Sequence, residues 1–193
     1  MQDLTGWLYG RWVVAAGFMG GALLAIAPIF AVSASLPVTL IFLCLPVYML
    51  HQVEEHAGDR FRTFVNQRMF GGAAALTRED VLVINIPGVW GVNVAALYAA
   101  AFGSPGFGLV AAYLLAINAF AHIVTSVRVR GYNPGLWTAV ALFVPLAGAI
   151  IATCPATGLD HAVGAGLAFA IHALIIVNAA RRVRGQHAEA ATA

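Results

Sequence analysis

Residues 36–57 read LPVTLIFLCLPVYMLHQVEEHA, an apolar run that ends in His51, Glu54 and Glu55. A run of roughly 20 mostly apolar residues matches a helix that crosses a bilayer. Titrating groups at membrane depth are expensive, so they usually face a protein interior and serve chemistry or transport. Five further runs of the same kind lie at residues 12–34, 80–102, 106–127, 135–154 and 160–180. The 193 residues are 61% hydrophobic and only 9% charged, with mean hydropathy +0.86. A soluble domain carries about 25% charged residues. The expected fold is therefore all-α, a polytopic bundle of six transmembrane helices forming one domain over residues 1–193. Strands are not expected, because an open sheet edge in lipid leaves backbone groups unpaired. The first run is too long for the apolar core of a signal peptide and is read as a retained span.

All ten basic residues are arginine, and they cluster. Arg11 precedes the first run; Arg60, Arg62, Arg68 and Arg78 lie between the second and third; Arg128 and Arg130 lie between the fourth and fifth; Arg181, Arg182 and Arg184 follow the sixth. Under the positive-inside rule both termini and these two loops are cytoplasmic, with the chain in a bacterial inner membrane. A net charge of +2 calls for no nucleic-acid partner, and no phosphate-cradling glycine loop is present. Residues 60–76 place Phe61, Phe64, Val65 and Met69 at helical spacing, which predicts a cytoplasmic interfacial helix between spans two and three. Asn133-Pro134-Gly135 reads as a helix start, with Asn133 as N-cap. Cys44 and Cys154 fall at different depths and are not expected to pair.

Residues three and four apart share a helix face. At about 100° per residue, Glu54 and Glu55 flank His51 on one polar arc, whereas His56 points roughly 140° away and is read as interfacial. Depth adds partners from other spans. His51 lies nine residues before Arg60, His122 six before Arg128, His172 nine before Arg181, and Asn85 seven after Arg78. At about 1.5 Å per residue the three histidines share a layer roughly 9–14 Å from the cytoplasmic arginines. Imidazole and carboxylate together suit a divalent metal, Zn or Fe. The expected ligands are His51, Glu54, Glu55, His122 and His172, with Glu54 or Glu55 also acting as general base. Asn85, Asn118 and Ser126 are expected to support the ligands by hydrogen bonds.

His51-Gln52-Val53-Glu54-Glu55, followed by Asn118-Ala119-Phe120-Ala121-His122 and Tyr132-Asn133-Pro134-Gly135, resembles the HXXEE-domain membrane proteins of bacteria over nearly the entire chain. That family is defined by its motif rather than by a reaction. The resemblance implies an enzyme-like site containing His51, Glu54, Glu55, Asn118 and His122. It does not imply His172, which rests on depth alone.

The leading functional expectation is an intramembrane metal-dependent enzyme acting on a lipid or other hydrophobic small molecule at the cytoplasmic leaflet. With Zn²⁺ it would be a hydrolase, the ion activating a water. Iron, as one ion or two, would suit oxidation, although the many histidines of membrane desaturases are absent. Metal-free acid–base isomerisation or cyclisation of an isoprenoid is a further class, and proton or metal transport another. Transport is disfavoured by the low polarity at the centres of spans one and five.

Overall fold

The computed structural model describes residues 4–192, which form helices and connecting turns without a strand. A short helix α1 (Leu4–Tyr9) precedes the first long one. Six helices are long and apolar enough to cross a membrane, and the chain is a multi-pass membrane protein. They are α2 (Trp12–Ser33) and α3 (Leu36–His56), α5 (Arg78–Phe102), α6 (Pro105–Val129) and α7 (Leu136–Thr153), and α8 (Gly158–Thr192). Between α3 and α5 lies α4 (Arg60–Phe64). Val14, Phe18, Val32, Phe102, Phe169 and Leu174 are exposed; an apolar outer surface is what a bilayer requires of a bundle.

Burial is uneven. In the most apolar stretch of the helix containing α3, 56% of residues are buried, and 44% in α6, against 11% in α2. The helices carrying His51 and His122 are therefore the inner pair. Their contact is built from Ile41, Cys44 and Tyr48 of α3 with Ala111, Ala112, Leu115 and Ala119 of α6, completed by Phe143 of α7. Small residues let backbones approach closely, which matters where lipid supplies no hydrophobic drive between helices. At Gly164 of α8 a Cβ would lie 3.1 Å from the backbone of Leu109 in α6, so a side chain there would crowd the crossing. Cys44 and Cys154 are free and buried, as expected.

Two helices widen to π-helical turns, at Ile84–Trp90 in α5 and Ala139–Phe143 in α7. Pro87 lies within the first turn and Pro145 just after the second. A proline has no N–H to donate and crowds the preceding turn, so the helix relaxes around it.

The interfacial helix is shorter than the sequence suggests. It comprises α4 and one π-helical turn at Val65–Met69, and the chain reverses at Gly71 and Gly72, both with positive φ (62° and 96°). The returning segment is fixed by Asn66, whose amide donates to the Leu76 carbonyl and accepts from the Leu76 N–H, each at 2.9 Å. Helix α8 runs farther than expected, because the alanine-rich tail contains no proline and favours helix. Ala179 near the end of the expected span and Val183 in the extension pack with Val65 and Leu76, and Arg182 pairs with Asp80 at 3.0 Å. Asn133 does not cap α7, as described below.

Replacing Asn66 by Ala strips two buried backbone groups of their partners. It should lower stability by about 1–3 kcal/mol, read as a reduced thermal midpoint in detergent; an unchanged midpoint would refute the role assigned to this side chain.

Candidate metal centre

His51, at 0% exposure, Glu55 and His122 converge where α3 meets α6, all buried. One ligand atom from each lies within 4.8 Å of the others, a group able to hold a metal ion. His51 Nε2 is 3.4 Å from Glu55 Oε2, and His122 Nε2 is 3.4 Å from Glu55 Oε1. These separations are long for hydrogen bonds. Each imidazole nitrogen thus faces a different oxygen of the one carboxylate. His51 Nε2 is also a buried atom without a hydrogen-bond partner, and such orphans in native interiors require an explanation.

The imidazole of His122 is fixed from behind. Its Nδ1 is 2.6 Å from Asn133 Oδ1, while Asn133 Nδ2 donates to the His122 carbonyl at 2.9 Å. The second bond orients the amide, so Oδ1 must accept from Nδ1–H. In the neutral ring, Nε2 then presents its lone pair to Glu55. Asn133, expected as a helix cap, is instead drawn into the core by this pair of bonds. The start of α7 falls to a turn in which the Leu136 N–H bonds the Asn133 carbonyl at 3.1 Å. Gly135, with φ 98° and ψ −11°, takes the position of a type II turn that demands positive φ.

Gly135 has a second constraint. A Cβ there would come within 2.7 Å of Cε1 of both His51 and His122. The backbone of the turn thus lies against the edges of both rings and closes the centre on that side. Elsewhere the walls are aromatic. Phe143 packs on His51 at a centroid distance of 4.4 Å, Phe61 of α4 lies 6.0 Å from His122, and Trp12 covers His56 at 5.0 Å.

Glu54 departs from its neighbour. Expected among the ligands and as a base, its carboxylate instead accepts from Tyr132 Oη (2.8 Å), Trp137 N (3.2 Å), Thr138 N (2.7 Å) and Thr138 Oγ1 (2.5 Å). It caps the otherwise unpaired N-terminus of α7 from another helix, where a negative charge is favoured. The Tyr132 hydroxyl, outside the spans, is pushed above its usual pKa by burial and by its bond to Glu54, which keeps it protonated and donating.

His56 corrects the helical-wheel reading. It is buried, and its Nε2 lies 3.0 Å from Glu55 Oε2, a hydrogen-bonding distance. As the last residue of α3, with φ −110° and ψ −8°, it leaves ideal helical phase and swings back under Trp12 and Phe61.

The remaining expected residues are placed elsewhere. His172 donates Nδ1–H to the Ala168 carbonyl at 2.8 Å; it is within electrostatic range of Glu55 and His122 but outside the convergent group. Asn85 accepts from Gln52 at 2.9 Å and donates to the Val81 carbonyl at 2.8 Å, so it joins α3 to α5 on another face. Asn118 lies against the Tyr48 hydroxyl, with its Oδ1 buried and unpaired. Ser126 closes the end of α6 by donating to the Gly131 carbonyl at 2.8 Å. Thr138 and Gly135 were not among the expected site residues. The Tyr-Asn-Pro-Gly segment was the signal pointing towards them.

Fold and site together define a multi-pass α-helical membrane protein with a buried two-histidine, one-carboxylate cluster. A family model described as "Protein of unknown function with HXXEE motif" matches residues 42–150, more than half of the chain, and the chain belongs to this HXXEE family. Comparison with curated proteins and with solved structures gives no match.

Gly135→Ala should destabilise the protein through left-handed strain of about 1–3 kcal/mol and through displacement of both rings. Gly131→Ala, whose Cβ would meet nothing closer than 3.9 Å, is the control. Equal thermal midpoints for the two variants in detergent would sink this account of the turn.

Proposed function

We propose that this chain is an intramembrane zinc-dependent hydrolase acting on a lipid or other hydrophobic substrate from the cytoplasmic leaflet of a bacterial inner membrane. The observation carrying the reading is the approach of His51 Nε2 and His122 Nε2 to opposite oxygens of Glu55, each at 3.4 Å. Two lone pairs and a carboxylate facing one another call for a cation between them. Two imidazoles and one carboxylate, with further positions left open, is the ligand count of catalytic zinc sites. A zinc ion in such a site supplies Lewis acidity and activates water.

The protein's own groups do the rest. His51, His122 and Glu55 hold the ion, Asn133 and His56 orient His122 and Glu55, and Phe61, Phe143 and Trp12 restrict water. An apolar, enclosed setting favours an apolar substrate, because a polar one would be desolvated without compensation. The arginine distribution supports an orientation with both termini in the cytoplasm. The site then lies beneath α4 at the cytoplasmic leaflet. A second reading, iron-dependent oxidation, draws on the same feature, since two histidines and one carboxylate with open positions also suit Fe²⁺.

Elemental analysis of the detergent-purified protein tests the centre. About one zinc per chain is expected, abolished by His51→Ala and by His122→Ala, and retained in His172→Ala, whose ring stands outside the group. Folded wild-type protein that takes up no transition metal from added zinc would overturn the reading. Stoichiometric iron would move it to oxidation. Zinc-loaded protein that leaves ester, amide and phosphodiester probes in mixed micelles intact would remove the hydrolase assignment.

A further inference from the structure

We infer that Glu54 and Thr138 form an anionic positioning relay for His51, so that the two adjacent glutamates of the motif have different tasks. The inference rests on the metal-centre reading above and says how that centre is tuned. Glu55 serves as ligand, whereas Glu54 acts through a hydroxyl on a ligand it does not touch.

The hydrogen-bond directions follow from a count of protons. Glu54 accepts the Tyr132 hydroxyl and the backbone N–H groups of Trp137 and Thr138, which is the behaviour of an ionised carboxylate, an acceptor only. The Thr138 hydroxyl has one proton and three neighbours. Glu54 Oε2 is at 2.5 Å, His51 Nδ1 at 2.8 Å and the Gly135 carbonyl at 3.3 Å. The nearest is charged, and charge-assisted bonds are shorter and roughly twice as strong as neutral ones. Were the proton given to His51, the Thr138 and Glu54 oxygens would face each other at 2.5 Å with nothing between. The hydroxyl therefore donates to Glu54 and turns a lone pair to His51, whose Nδ1 must carry the hydrogen. In the neutral ring His51 Nε2 is then bare. It is the atom found buried and without a partner, 3.4 Å from Glu55.

The two histidines are thus held in the same tautomer by different means, His122 by the neutral amide of Asn133 and His51 by a carboxylate acting through a hydroxyl. Outer partners of this kind fix ring orientation and raise ligand basicity. The relay depends on sequence spacing and on the turn together. His51 and Glu54 share a face of α3 at i and i+3, and the turn at Gly135 delivers Thr138 onto that face.

The test is zinc affinity of the full-length protein in detergent, measured by competition with a chromophoric chelator, alongside the visible absorption of the Co²⁺-substituted form. Thr138→Val, which keeps the shape and removes the hydroxyl, should weaken zinc binding about 10–100-fold and shift the cobalt bands. Glu54→Gln should do likewise, and Thr138→Ser should restore wild-type affinity and spectrum. Were the hydroxyl merely structural, folded Thr138→Val would keep the wild-type cobalt spectrum. Wild-type protein that binds zinc, with Thr138→Val or Glu54→Gln binding it equally well and with unmoved cobalt bands, overturns the relay and leaves the metal centre standing. Wild-type protein that binds no zinc ends both. Should Thr138→Val fail to fold, Glu54→Gln against Thr138→Ser still decides: only a weakened Glu54→Gln beside a normal Thr138→Ser is consistent with the relay.

Discussion

The carboxylate of Glu55 is the constraint around which this bundle is arranged. It is buried between α3 and α6, where an uncompensated charge costs several kcal/mol even after relaxation. His56 satisfies one oxygen with a bond of ordinary length, at 3.0 Å. His51 and His122 approach at 3.4 Å with their ring nitrogens turned inward. Three imidazoles around one buried carboxylate compensate its charge, and His51, Glu55 and His122 form a group that could hold a metal ion.

That demand accounts for features which would otherwise look unrelated. Small residues along α6 let α3 come close enough for His51 and Glu55 to meet His122. The π-helical turn in α7, eased by Pro145, places Phe143 against His51 and Tyr48. The turn at Asn133–Leu136 supplies a side chain to hold His122, a glycine thin enough to pass the two rings, and the helix N-terminus that takes up Glu54. The bonds that begin α7 also reach the His51 ring. Glu54 stabilises the start of α7 and, by doing so, holds Thr138 against His51.

Much of this was legible beforehand. Length and hydropathy were enough for six spans, because a bilayer imposes a minimum apolar length and forbids unpaired backbone. Counting residues from the arginines that flank the spans puts His51 and His122 at one level, and the two rings do meet, at a centroid distance of 5.0 Å. The same count promoted His172, which shares the depth yet bonds its own helix at Ala168. Depth along an axis says nothing of rotation about it. Helical phase also failed at His56, since the wheel assumes ideal geometry up to the last residue and a helix end does not keep it. Residues 60–76 carry helical spacing at Phe61, Phe64, Val65 and Met69, and the positive φ of Gly71 and Gly72 ends the helix before Leu76.

By itself, then, the chain's order of residues determined the membrane architecture, the family and the pair His51–Glu55, all of which follow from local spacing and solvent. Tertiary structure alone decided which glutamate faces inward, that Asn133 holds an imidazole rather than a helix end, and that Thr138 and Gly135 belong to the site. Those choices depend on the rotation of α6 and α7 against α3. Packing sets that rotation by shape complementarity among side chains distant in sequence, which no one-dimensional period encodes.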